Sequence, residues 1–171
     1  MPTKKKKMPS IAKGISEDLP SLSYAYRLTR KASRLGFDWP DLAGALKKMD
    51  EELEEFHEAL AQPPHPLGGV AKSRSLPPLR DRRRIGEELG DLLFVLVNVA
   101  RLLRIDPEQA LKRTIKKFCD RFLYIETSLG RAGKTAKESS LNEMDRLWEE
   151  AKGKRKTRRE VKAKPKAKVG Q

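Results

Sequence analysis

Cysteine occurs once in the 171 residues, as Cys119. A single thiol excludes a disulfide framework and any zinc cluster built from cysteines. Long apolar runs are equally scarce. The best, Leu92 to Ala100, is half of the roughly 18–20 residues a membrane helix needs. The lysine-rich start carries no apolar h-region and does not read as a signal peptide. No segment alternates with period two over a convincing length, and no internal repeat is visible. These absences set the expectation of a soluble, cytoplasmic, reducing setting with no membrane partner.

Charge is abundant but unevenly placed. The net charge is +14. Residues 1–13 carry five lysines and no acid, and residues 152–171 carry ten Lys/Arg and one acid, Glu160. Residues 14–151 are left with 23 basic and 23 acidic groups. The basic character therefore belongs to the ends, and the middle is not a nucleic-acid domain by charge alone. The reading is a disordered Lys-rich leader at 1–18, one folded domain at 19–152, and a disordered basic tail at 153–171.

Within the domain the periodicity is helical. Leu22, Ala25, Tyr26, Leu28, Ala32 and Leu35 recur at helix spacing, with Ser21 as a possible cap and Gly36 where a C-terminal glycine would end the helix. After the turn Phe37–Pro40, a second helix runs to about Leu60 with Leu42, Leu46, Met49, Leu53 and Phe56 on its buried side. Residues 62–80 are rich in proline and contain Gly68-Gly69, the composition of a loop. A third helix, from about Asp81 to Leu103, has an apolar set wide enough to be buried on most sides. Asp106-Pro107 starts a fourth helix reaching about Ser128. Ser140 and Glu143 fit a capping box before a fifth, which carries Met144, Leu147 and Trp148. The fold class is an all-α bundle of four to five helices.

The chemistry sits in carboxylates. The second helix holds Asp50, Glu51, Glu52, Glu54, Glu55 and Glu58. Glu52 and Glu55 are spaced i, i+3 on one face, with Lys48 one turn earlier. Such a run taken alone is an ordinary solvated face. The third helix carries Glu88 and Asp91, again i, i+3, and Asn98 continues that line two turns after Asp91. These acids lie among Leu89, Leu92, Leu93 and Phe94, and burying a carboxylate costs several kcal/mol unless a cation or donors compensate it. Two such pairs from facing helices would converge hard oxygen ligands, which suits Mg²⁺ or Mn²⁺ better than zinc. Basic residues could supply the other half of a phosphate site. Lys117 and Arg121 are i, i+4, and Arg82 to Arg84 precede Glu88.

Three other patterns fail. Gly133-Lys134-Thr135 resembles the end of a P-loop, but residue 128 is Ser128 rather than glycine. His57-Glu58 opens a zincin-like pattern, but residue 61 is Ala61. Cys119 has no histidine nearby in sequence and reads as a small packing residue.

Several segments together resemble MazG-type nucleoside triphosphate pyrophosphohydrolases. They are Ala32 to Trp39, the acidic stretch Lys48 to Glu55, and Glu87-Glu88-Leu89-Gly90-Asp91-Leu92-Leu93-Phe94 with its continuation Val97 to Arg101. Ile105 to Leu111, Lys117 to Phe122 and Met144 to Ala151 extend the likeness, which covers about residues 20–152 in order. It implies an all-α enzyme, dimeric or higher, that hydrolyses NTPs or dNTPs to the monophosphate and pyrophosphate with Mg²⁺. By motif match Glu52, Glu55, Glu88 and Asp91 are the metal ligands. Lys48, Lys117 and Arg121 fall on phosphate-contacting positions, Arg84 where a basic residue is often found, and Asn98 and Trp148 near the nucleoside. The proline-rich loop is longer than in typical members, and this chain carries one such domain where long members carry two. A rival reading from another class is a non-catalytic helical dimer whose basic tails hold nucleic acid nonspecifically. A third keeps the metal chemistry but takes a different nucleotide, such as a phosphoribosyl-nucleotide.

Overall fold

The computed structural model describes the backbone of residues 9–61 and 79–163, and the side chains of 9–61 and 81–154. Most of the proline-rich loop and the outermost parts of the expected leader and tail lie outside these residues. Among the described residues all regular structure is helical: α1 (Ser21–Arg34), α2 (Leu42–Ala61), α3 (Leu79–Leu102), α4 (Pro107–Arg131) and α5 (Leu141–Ala163), with short 3₁₀ turns at Ser10–Ala12 and Ala136–Glu138. The expected all-α architecture is what forms. No described helix is long and apolar enough to cross a membrane.

Local chemistry sets the helix ends. Asp41 accepts the Gly44 N–H at 2.8 Å and Asp106 accepts the Gln109 N–H at 2.9 Å, each satisfying an orphan donor of the first turn. Ser140 Oγ accepts the Glu143 N–H at 3.2 Å, while the Glu143 carboxylate turns to Lys134 at 3.3 Å. Ser21 is not a cap but the first residue of α1. Pro20 occupies the cap position without a side-chain bond. Three helices end in the same six-to-one closure. Phe37 N–H reaches Ala32 O, Ile105 N–H reaches Ala100 O, and Lys134 N–H reaches Leu129 O. The residue at each bend has positive φ: Gly36 at 87°, Arg104 at 56° and Gly133 at 70°. The glycine of the failed P-loop pattern is thus a helix terminator.

Several boundaries move. α4 continues three residues past Ser128 to Arg131, and α5 continues through Ala163, well past the start of the expected tail. Lys, Arg and Glu are good helix formers, and the next proline is Pro165. Part of the expected leader is also ordered. Ser10–Ala12 turns, Ala12 and Ile15 are buried, and Lys31 Nζ donates to Lys13 O.

The chain divides into two compact units, residues 1–110 and 111–171. In the first, α3 packs against α2 and α1, and α1 also meets the N-terminal 3₁₀ turn. Ala45, Glu52 and Ala59 form the buried stripe of α2, seven residues apart each time. Leu46 and Leu53, expected to be buried, are instead 38% and 40% exposed. On α3, Val95, Val97 and Asn98 are buried, but Leu89, Leu93, Phe94 and Leu96 remain 41–48% exposed. The expectation of burial on most sides therefore fails within the unit, because two helices cover only part of an apolar surface this wide. In the second unit Ile125, Leu129 and Leu147 form a small core, flanked by Phe122, Tyr124, Met144 and Trp148. Cys119 is exposed rather than packed.

Candidate functional site

The packing of α2 on α3 brings acids from both helices together. Glu52, Glu55 and Glu88 each place a carboxylate oxygen within 4.8 Å of the others. Glu52 is only 7% exposed. The depth is the reverse of what the sequence suggested. The run that resembled a solvated face supplies the buried acid, while Glu88 is half-buried and Asp91 exposed. Three of the four predicted ligands converge, and Asp91, one turn beyond Glu88, lies outside the trio.

Lys48 answers part of this charge. Its Nζ lies 2.7 Å from Glu51 Oε1 and 3.0 Å from Glu52 Oε1. Hydrogen bonds to these two acids, Glu51 foremost, hold the ammonium charged well above the usual lysine range. Glu55 remains under-compensated. Desolvation, then the charges of Glu52, Glu88 and Glu51, raise its carboxyl above the ordinary glutamate value, against the pull of Lys48. A trio of oxygen donors short of positive charge fits a hard divalent cation such as Mg²⁺.

The second feature is a pocket of about 390 Å³ in the same unit. Its walls are largely apolar: Leu28 and Ala32 from α1, Phe37 and Trp39 from the following turn, Phe94 from α3, and Ile11 from the N-terminal turn. Trp39 is seated by a close approach, since a Cβ at Gly44 would stand 3.1 Å from its Cδ1. Three polar side chains also line the pocket: Thr29, Asp38 and Asn98. Thr29 Oγ1 donates to Tyr26 O at 3.2 Å. Arg101, whose side chain is 9% exposed, grips Asp38 with both terminal nitrogens, Nη1 at 2.9 Å from Oδ2 and Nη2 on Oδ1. It also reaches Asn98 Oδ1 from Nε at 3.4 Å and Nη2 at 3.3 Å. Trp39 N–H donates to Asp38 Oδ1 at 2.9 Å. The Arg101 hydrogen bonds, with those of Ser33 and Trp39, hold the Asp38 carboxyl below its usual range despite partial desolvation. Asn98 Nδ2 donates to Phe94 O at 3.4 Å.

The sequence marks Phe37–Pro40 as a turn, and the resemblance places Asn98 near a nucleoside. Neither marks the Asp38–Arg101 pair. The one available signal was an arginine closing an apolar helix with no acid within a turn of it, and the separation of 63 positions hides the pairing.

The remaining predicted residues lie elsewhere. Arg84 is exposed on α3. In the second unit, Lys117 and Arg121 are one turn apart on α4, with Arg121 half-buried and Lys117 on the same face. The Arg121 guanidinium sits 5.1 Å from the Trp148 ring centroid, a cation–π contact, and its buried Nε has no hydrogen-bond partner. Phe118 packs on Trp148 at 5.3 Å between centroids.

The first unit thus holds, on an all-α frame, a carboxylate trio from two packed helices and an apolar pocket farther along α3, the features of a helical protein with an acidic site. The chain carries a MazG nucleotide pyrophosphohydrolase domain, matched by residues 42–122. The chain is 37% identical over 150 residues to the nucleoside triphosphate pyrophosphohydrolase/pyrophosphatase MazG of Thermotoga maritima, covering 88% of this chain and 51% of that protein. It is 30% identical over 138 residues to the nucleoside triphosphate pyrophosphohydrolase of Escherichia coli K12, covering 81% of this chain and 47% of that protein. A shorter stretch of 65 residues is 52% identical to the uncharacterized protein YabN of Bacillus subtilis, covering 38% of this chain and 13% of that protein. The chain thus spans about half the length of the two pyrophosphohydrolases it matches.

Proposed function

We propose that this protein hydrolyses nucleoside triphosphates, NTPs or dNTPs, to the nucleoside monophosphate and pyrophosphate in a Mg²⁺-dependent reaction. The observation that carries the reading is the convergence of Glu52, Glu55 and Glu88 on two helices of a MazG domain. Glu52, Glu55 and Glu88 would hold the ion, with Asp91 one turn from Glu88 as the fourth ligand that the resemblance assigns. Bound there, Mg²⁺ supplies charge neutralisation for the phosphates and makes water a better nucleophile at neutral pH.

The chain's own residues do the rest. Lys48 pairs with Glu51 and Glu52 and would meet phosphate oxygens, the role the resemblance also gives to Lys117, Arg121 and Arg84. Asn98 lies ten residues beyond Glu88 on α3, about 15 Å along the axis at 1.5 Å per residue. That separation leaves room for phosphates at one end and a nucleoside at the other, with Asn98 and Trp148 on nucleoside positions by resemblance. The exposed apolar surface of α3 supports assembly as a homodimer or higher oligomer, since contiguous exposed apolar surface marks interfaces.

The test is pyrophosphate release from a panel of NTPs and dNTPs, with Mg²⁺ and with EDTA. Metal-dependent release with the monophosphate as co-product is expected. Absence of release from every member of the panel would overturn the reading.

A further inference from the structure

The pocket beside α3 contains three polar side chains, and the hydrogen bonds among them and to the backbone engage most of their capacity. Asp38 receives two donors from Arg101 and one from the Trp39 N–H. Asn98 has its oxygen on Arg101 and an N–H on Phe94 O. Thr29 gives its proton to Tyr26 O. One residue, Arg101, accounts for most of this. Its guanidinium is nearly buried, so neither it nor the groups it holds can turn to a ligand without breaking a charge-assisted fork.

We propose that Arg101 is a specificity-determining positioning residue: by engaging Asp38 and Asn98 it leaves a pocket that holds a nucleobase by stacking and shape, without reading which base it is. The inference rests on the nucleotide reading above and deepens it. The walls suit a flat aromatic ligand, with Trp39, Phe37 and Phe94 among them and a volume in the range of small-molecule sites. Every standard base has a π-face, so stacking is base-tolerant. The second N–H of Asn98 has no conflicting demand, because all standard bases carry edge acceptors. A site with unpaired buried hydrogen-bonding groups rejects a mismatched ligand by about 10⁴–10⁵, whereas an apolar pocket separates ligands by only about 10–200-fold. Arg101 places this pocket in the second regime.

Removing Arg101 would move it toward the first. Asp38 would become an acceptor-only carboxylate on the pocket wall. It would favour bases with an exocyclic amine (adenine, guanine and cytosine) and disfavour uracil, which offers carbonyls and a single ring N–H.

The experiment compares kcat/KM for ATP, GTP, CTP and UTP in the unaltered protein, Arg101→Ala and Arg101→Lys. The unaltered protein should show a spread within about tenfold. In Arg101→Ala the spread should widen by at least about tenfold, with UTP falling furthest and the change carried in KM, because base contacts act on ground and transition states alike. Arg101→Lys, which keeps the charge without the fork, should fall between. The ratio among bases does not depend on how much of a variant is folded, so a general loss of stability cannot imitate this result. Affinities for AMP, GMP, CMP and UMP in EDTA, read by the tryptophan quenching that Trp39→Leu removes, should follow the same order without any turnover.

A spread above about a hundredfold in the unaltered protein, or an unchanged spread in both variants, would overturn the inference while leaving the pyrophosphohydrolase reading intact. No hydrolysis of any triphosphate, with base-indifferent monophosphate binding still present, would overturn that reading and leave the role of Arg101 standing.

Discussion

Lys48 Nζ stands 3.0 Å from Glu52 Oε1, one helical turn away, and Glu52 is the one buried acid among the described residues. The pair stabilises a charge that would otherwise be desolvated beside Glu55 and Glu88. Replacing Lys48 with Met should lower the stability of the metal-free protein by about 1–2 kcal/mol, the range for a partly exposed partner of a buried polar group. Added Mg²⁺ should recover part of the loss. Thermal melts with EDTA and with Mg²⁺ check both halves of the expectation.

Glu55 calls for the opposite sign. It is raised by desolvation and by like charges, so Glu55→Gln should raise the melting temperature of the metal-free protein. The same substitution should shrink the Mg²⁺-induced stabilisation, because a ligand charge is gone. A Mg²⁺-induced shift unchanged by the substitution would show that Glu55 holds no ion. Glu88→Ala should remove turnover with little change in helicity by circular dichroism. Asp91→Ala should also remove turnover if Asp91 joins the trio as a ligand.

Asp38 and Glu55 make opposite contributions to pH dependence. Asp38 titrates below the ordinary aspartate value of 3.8 because Arg101 holds its carboxylate. Just below 3.8 the unfolded chain binds the proton more readily, so this group's stabilisation is present above that pH and is lost as pH falls through the folded value. Glu55 is raised above 4.5, so the folded chain binds the proton more readily there, and stability falls as pH rises through that window. Urea titrations from about pH 3 to 7 should lose the acid-side slope in Asp38→Asn and the opposing slope in Glu55→Gln.

Two helix ends offer a matched pair. A Cβ added at Gly36, where φ is 87°, would meet nothing within 4 Å, so Gly36→Ala should cost about 1–2 kcal/mol from backbone conformation alone. Arg104 performs the same closure at φ 56°, and Arg104→Gly should be neutral to stabilising by up to about 1 kcal/mol. Chemical denaturation measures both, and equal signs for the two substitutions would contradict a shared left-handed closure.

How much of this was legible depends on sequence distance. Asp106-Pro107 announces a helix start, and Gly36 a helix end, because caps and left-handed turns are decided by neighbours in the chain. The i, i+3 pair Glu52 and Glu55 was readable for the same reason. The end of α5 was less so, since good helix formers such as Lys and Arg carry no stop signal, and α4 offers two glycines, Gly130 and Gly133, of which only the second takes the left-handed turn. The pattern around Cys119 suggests packing, but a periodic face says only what could be buried, and the thiol is exposed.

The sequence by itself determined the helical class, the five helices, the acidic pairs and the family resemblance, all properties of local spacing and residue type. Tertiary structure alone decided that Glu52 is the buried acid, that Glu88 joins it and Glu55 while Asp91 stays outside, and that Arg101 reaches 63 residues back to Asp38. Burial and pairing across helices depend on which residues the packing of α2 and α1 against α3 brings face to face, and helical periodicity narrows that choice without making it.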